Sequence, residues 1–329
     1  IVGENRILAY HGLKVINENP RPGFEAILKQ VKKEKLTITD VVFIIAPRIN
    51  AAGRMKHGNH AVTLLCETDK NLAAEYAIDI DTYNTDRRDA DKRITIEALV
   101  QIEENKEQDR FTSVVFDENW HKGVIGIVAS RLIETYYRPT LVFTKSGEML
   151  AASARSVKGF DVYNALEKCS EYIEQFGGHK YAAGLTLKPE NYKGFKAQFE
   201  KVVEETIDPK MLIPEISIDS QISLSDITPK FYRILSQFAP FGPGNMTPVF
   251  MSEDIQDTGY GKQVGEDKTH LRFTATQHGS GKIVGIGFGL GEHIELIKNK
   301  KPFKAAYTID ENEWNGNVSL QLKLKDIKP

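Results

Sequence analysis

The chain has almost no cysteine: Cys66 and Cys169 are the only two among 329 residues. They lie far apart in apolar, helix-like surroundings, so buried free thiols are expected rather than a disulfide or a metal cluster. No apolar run reaches the length of a membrane span and no charged-then-apolar start marks a leader, so a cytoplasmic protein with no membrane contact is expected. Neither charge dominates: 43 Lys and Arg against 45 Asp and Glu give a net charge of −2. That excludes a histone-like coat but not a groove lined by local cations, because phosphate neutralisation acts at contact range. No Asp is followed directly by His, and no Gly or Pro occurs from Asn59 to Lys122.

The Gly- and Pro-free window predicts one long, largely solvated helix from about Asp69 to Glu104. Leu72, Tyr76, Ile80, Tyr83, Ile94, Ala98 and Val100 are its apolar positions, and Asp86, Arg87, Arg88, Asp89, Asp91, Lys92 and Arg93 read as a wet face. Before it, residues 1–68 carry short pieces broken by Pro20, Pro22, Gly23 and Pro47, with Val41 to Ala46 as a short buried strand or turn. Residues 110–207 alternate strands and helices, including helices over 123–136 and 162–176, as an α/β domain does. From 208 to 329 short strands with Gly-rich turns predict a small barrel. There Lys298, Lys300, Lys301 and Lys304 form the obvious basic cluster, read either as a solvated loop or as phosphate contacts. Phe231, Tyr232, Phe238, Phe241, Phe273 and Phe288 are expected mostly in the core, with Tyr260 and Trp314 the better candidates for exposure.

Four short motifs carry chemistry. Residues 177–184 read Gly-Gly-His-Lys-Tyr-Ala-Ala-Gly. Gly177 and Gly178 bare the backbone, His179 supplies a donor or acceptor, and small residues follow so that something can lie against them. This stretch is expected in a loop between a helix and a strand; the alternative is a helix C-cap at Gly177. Ser153 and Arg155 alternate along a strand and share a side, a hydroxyl and a guanidinium suited to phosphate, or else an exposed edge with a surface ion pair. Gly123 and Gly126 open a helix after His121 and Lys122, which suits either an anion at the helix N-terminus or close packing. Arg48, Asn50 and Arg54 stand in a loop-like Pro-Arg-Ile-Asn-Ala-Ala-Gly-Arg run (47–54).

In that order these motifs resemble the RecJ single-strand-specific DNA exonucleases of the DHH phosphoesterase superfamily, in the part that follows the catalytic DHH domain. The resemblance implies an α/β plus β protein in four parts: the end of a DHH domain (1–68), a connecting helix (69–109), a substrate-binding DHHA1 domain (110–207) and an OB-like barrel (208–329). It implies 5′→3′ hydrolysis of single-stranded DNA by water activated on Mn²⁺ or Mg²⁺, in DNA repair and recombination. The Asp-His-His triplet of that superfamily is missing, so the chain is expected to be a C-terminal portion without metal ligands of its own, inactive alone. His179 is implied as catalytic, with Ser153, Arg155, Gly177, Gly178, Arg48, Asn50, Arg54, His121 and Lys122 as phosphate-binding residues. A single-strand-binding protein and a RecQ-type helicase are the implied partners. Two rivals stay open: a DHH-DHHA1 phosphodiesterase acting on short RNA or cyclic dinucleotides, and a non-catalytic single-strand-binding module.

Overall fold

The computed structural model describes residues 1–31, 35–278, 281–299, 301–314 and 316–329. It divides into two compact units, Val15–Pro214, and Ile1–Lys14 together with Glu215–Pro329. The first helix, α1 (Gly3–Glu18), buries none of its residues. Among the described residues no helix is long and apolar enough to cross a membrane.

The larger unit begins with α2 (Pro22–Val31), the one-turn α3 (Ile38–Asp40), α4 (Ala46–Met55), α5 (Asn59–Cys66) and the 35-residue α6 (Lys70–Glu104). Asp69 starts α6 by accepting hydrogen bonds from the Asn71 and Leu72 N–H groups, which would otherwise lack partners. Its buried seam is Ala73, Ala77, Ile80, Asn84, Asp91, Ile94, Ala98 and Ile102, in steps of three, four and seven. Leu72 and Val100, two of the expected apolar positions, are exposed and lie off this seam. The expected wet face holds for Asp86, Arg88, Asp89, Lys92 and Arg93 but not for Arg87 and Asp91, whose side chains are only 13% and 4% exposed. The apolar run at 41–45 is not a strand. A capping box between Thr37 and Asp40 starts a helical path that passes through a π turn into α4, leaving Val42 and Phe43 exposed. Arg48, Asn50 and Arg54 therefore sit on a helix, not in a loop.

The rest of this unit is a sheet with helices on both faces. Its elements are β1 (Ser113–Phe116), α7 (Ile125–Thr135), β2 (Thr140–Ser146), β3 (Met149–Arg155), α8 (Val162–Glu167), β4 (Gln175–His179), β5 (Ala182–Leu187) and α9 (Tyr192–Thr206). Strand order is β1-β2-β3-β5-β4, with β1 and β2 parallel across α7 and the other pairs antiparallel. One face packs Ala152, Ala154, Ala183 and Leu185 against Phe195, Phe199 and Val203 of α9. On the other, Val115 and Val142 lie with Val128 and Leu132 of α7 and with Ile94, Ala98 and Ile102 of α6. Gln101 of α6 borders β1, its amide donating to Phe116 O and accepting from Phe116 N at 2.9 and 3.0 Å.

Two expectations fail in this sheet. The helix expected to reach Phe176 ends at Glu167, and the Gly-Gly-His motif is edge strand β4 rather than a loop. Two adjacent glycines are poor helix formers, whereas paired to β5 they allow close approach. Gly178 has φ +149°, and a Cβ there would lie 2.4 Å from Ala182 O. Cys169 is buried as expected, its thiol pushed up to about 12 by that burial, but Cys66 at the end of α5 is exposed.

The smaller unit comprises β6 (Ser220–Gln221), α10 (Pro229–Ser236), β7 (Phe250–Asp257), β8 (Lys262–Val264), β9 (His270–Thr276), β10 (Ile283–Gly287), α11 (Ile294–Lys298), β11 (Phe303–Trp314) and β12 (Asn317–Lys328). Strand order is β6-β7-β11-β12-β10-β9-β8, and β7 also pairs with β9. That second pairing closes five strands into a ring around Phe250, Phe273, Phe303, Tyr307 and Leu322. Arg6 ties the start of the chain to this unit, donating to the carbonyls of Gln237, Phe238 and Ala239 just past α10. Tyr260 is exposed as expected. Phe288 and Phe238 are exposed against expectation. The Trp314 side chain and Lys300 lie outside the described residues.

Candidate functional site

Register brings the motifs of the larger unit together. On β3, β5 and β4 the row Ser153–Gly184–Gly177 lies next to the row Arg155–Ala182–His179. Paired residues share a face, so Ser153, Arg155 and His179 all point to the side that carries α7. Two strand spacings separate β3 from β4, roughly 10 Å. Only Gly184 and Ala182 stand between them, so the floor of the site is nearly bare backbone. His179 is exposed at the end of β4, where its Nδ1 accepts from the Tyr181 N–H at 3.4 Å.

The wall of this floor is the first turn of α7. A Cβ on Gly126 would lie 2.9 Å from Ser153 Oγ and 3.0 Å from Arg155 Nη2, so only glycine lets both side chains rest against the helix. Arg155 Nη1 donates to Ser153 Oγ at 3.0 Å and to Ala154 O at 2.8 Å. Burial holds this half-buried guanidinium below its ordinary pKa, and nearby Arg54 adds to the effect. Neither arginine is ion-paired among the described residues. Arg54 comes from α4 and is fixed on the turn before α7. Its Nη1 donates to Gly123 O at 3.0 Å, and a Cβ on Gly123 would meet Arg54 O at 2.3 Å. His121 belongs to the same turn, its Nδ1 accepting from the Gly123 N–H.

Other expected residues are engaged elsewhere. Lys122 donates to Ser146 Oγ at 2.9 Å. Arg48 pairs with Asp81 of α6 at 2.7 Å and donates to Ile44 O. Asn50 is exposed, one helical turn before Arg54 on the same face of α4. Sequence reasoning missed the support beneath: buried Asp91 accepts from Arg131 Nε at 3.0 Å, while Arg87 reaches toward it and donates to Asn84. Arg87 is held below its ordinary pKa mainly by burial, against the pull of Asp91. The signal was present, because Asn84, Arg87 and Asp91 continue the three-and-four spacing of the apolar seam. Among the described residues no group of three or more His, Cys, Asp or Glu is placed to hold a metal ion. The residues present thus do not fit a Mn²⁺ or Mg²⁺ centre of their own.

The DHHA1 domain matches residues 108–205, and the RecJ OB domain matches residues 218–326. The chain is similar to the single-stranded-DNA-specific exonuclease RecJ of Bacillus subtilis, 32% identical over 98% of this chain and 41% of that protein. It is likewise similar to RecJ of Escherichia coli, 32% identical over 99% of this chain and 58% of that protein. The crystal structure of RecJ in complex with Mn²⁺ from Thermus thermophilus superposes with a TM-score of 0.85 at 26% identity, covering 99% of this chain and 47% of that one. The chain therefore spans about half the length of the relatives it matches. With both domains matched in order and nearly every residue aligned to these proteins, the chain belongs to the RecJ family.

Proposed function

We propose that this chain holds the 5′ end of single-stranded DNA for a 5′→3′ exonuclease, and that hydrolysis belongs to a protein of the relatives' full length. The observation that carries this reading is that Arg54 and Arg155 both lie against residues 123–126, neither ion-paired among the described residues, beside a floor of glycine and alanine. Two guanidiniums held together without a carboxylate gain from an anion, and a terminal phosphate is a dianion that a guanidinium fork grips in two bonds. Ser153 supplies a further hydrogen bond. Gly177 and Gly178 let the sugar-phosphate backbone approach β4, and His179 donates to the phosphate under attack, where charge grows in the transition state. Asn50 and His121 line the approach; Arg48 and Lys122 act at one remove through Asp81 and Ser146.

The relatives' structures hold Mn²⁺ or Mg²⁺. Because the described residues do not form a metal cluster, no step through a metal is assigned to them. On this reading residues 69–109 connect the end of a DHH domain, 1–68, to a strand-binding part, 110–207, and a second strand-binding part follows at 208–329. The longer protein would work in the cytoplasm beside a single-strand-binding protein and a RecQ-type helicase, partners that recovery from cells would test.

The deciding experiment compares binding of 5′-phosphorylated and 5′-hydroxyl single strands by the chain and by its Arg155→Ala variant. The preference for the phosphate should vanish, a loss of about 1.5–3 kcal/mol for a charged hydrogen-bonded contact. Affinity along the rest of the strand and its salt dependence should barely change. An intact preference in the variant would make Arg155 a scaffold residue and sink the reading.

A further inference from the structure

The smaller unit carries cations that no single stretch of sequence brings together. Lys262 on β8 stands opposite Arg272 on β9, Arg272 opposite Ile286 on β10, and Ile286 opposite Lys323 on β12. The three cations thus form one row across four strands, on the face away from buried Leu271, Phe273 and Leu322. Among the described residues none of the three is ion-paired, whereas Lys304, from the obvious basic cluster, sits 2.7 Å from Glu253.

One step along the strands from this row stands Phe288, 59% exposed. It is not a loose side chain. The His270 ring meets it edge-on, centroids 5.1 Å apart at 72°, and Lys323 Nζ lies 6.0 Å from its ring centre. His270 is itself fixed, its Nδ1 accepting from the Gly289 N–H at 3.2 Å. Leaving a large apolar ring in water is unfavourable, and here the ring is braced beside cations rather than buried. A flat apolar ring next to unpaired cations complements one chemistry above others, a base with its phosphate. The base stacks on the ring while the backbone lies along the charges. A duplex hides the faces of its bases, and an acidic peptide has no use for the ring.

We propose that Phe288, braced by His270 and flanked by Lys262, Arg272 and Lys323, is a base-stacking site for single-stranded nucleic acid. The proposal rests on the reading that this chain handles single strands, but it uses none of the residues of the 5′-end site. The test is binding of a short fluorescent oligothymidylate with a 5′-hydroxyl end. Phe288→Ala should weaken binding about tenfold, with thermal unfolding unchanged, and Phe288→Trp should restore it. On a strand of equal length lacking bases, wild type and Phe288→Ala should bind alike. Arg272→Gln and Lys323→Gln should each lower the salt slope by about one, and binding of a duplex should not depend on Phe288. Unchanged affinity in Phe288→Ala, or an equal loss on the base-free strand or the duplex, would overturn the stacking site. Those outcomes leave the phosphate preference of Arg155 untouched, so failure here is distinguishable from failure of the 5′-end reading. A wild-type chain that does not bind the strand would sink both.

Discussion

Arg138, two residues before β2, and Arg155, at the end of β3, meet opposite fates. Arg138 is buried and its donors are spent on the protein: Ser113 Oγ and the carbonyls of Glu107, Gln108 and Arg110, at 2.6–2.9 Å. Burial lowers its pKa, but Glu200, Tyr136 and Glu107 pull the other way. Arg155 is half-buried with two short-range acceptors, and the next influence on it after burial is another cation. One guanidinium completes the fold. The other is held at some cost to the fold, as the proposed phosphate grip would require.

The contrast fails if truncating Arg138 does little. Arg138→Ala should destabilise the larger unit by about 3 kcal/mol or more, since it strands three carbonyls and a hydroxyl in the interior. A fall in the urea midpoint at unchanged slope would show this. The two glycines of β4 divide the same way. Gly178→Ala should cost about 2 kcal/mol from its positive φ and the clash with Ala182 O. At Gly177 an added Cβ would meet nothing within 4 Å, so alanine should be accepted there within about 0.5 kcal/mol. Equal losses at both would mean that the edge strand, not the close approach, demands glycine. The smallest effect sharpens the comparison most. Arg155→Ala should alter stability by no more than about 0.5 kcal/mol, or raise it slightly, because it relieves burial of a charge and repulsion from Arg54. A loss as large as that of Arg138→Ala would put both arginines in the scaffold.

The sequence was most legible where the information is local. Asp69 and an unbroken run without Gly or Pro delimit α6 almost to the residue. Ser153 and Arg155 share a face because a strand has period two, and that needs no partner. What was illegible depends on pairing. Gly177 and Gly178 look like a loop until β5 supplies the other half of their hydrogen bonds. Lys262, Arg272 and Lys323 are scattered over 62 positions of the chain and become neighbours only through register. Arg87 and Asp91 were misread for another reason. Charge argues for water, but two guanidiniums around one carboxylate, one of them also held by the Asn84 amide oxygen, let a polar cluster follow an apolar seam inward.

Gln101 has a consequence beyond its two hydrogen bonds. Its side-chain amide offers Phe116 the donor and acceptor that a neighbouring strand would offer, from a helix that has no further strand to follow. At that border the sheet ends in a plug, and no foreign strand can find Phe116 vacant. Growth by strand addition is thereby left to the opposite border, at Gln175–His179, where glycine removes side chains that would obstruct a guest. The sheet has a direction: sealed on the side where it meets its own helix, and open on the side where a guest can lie.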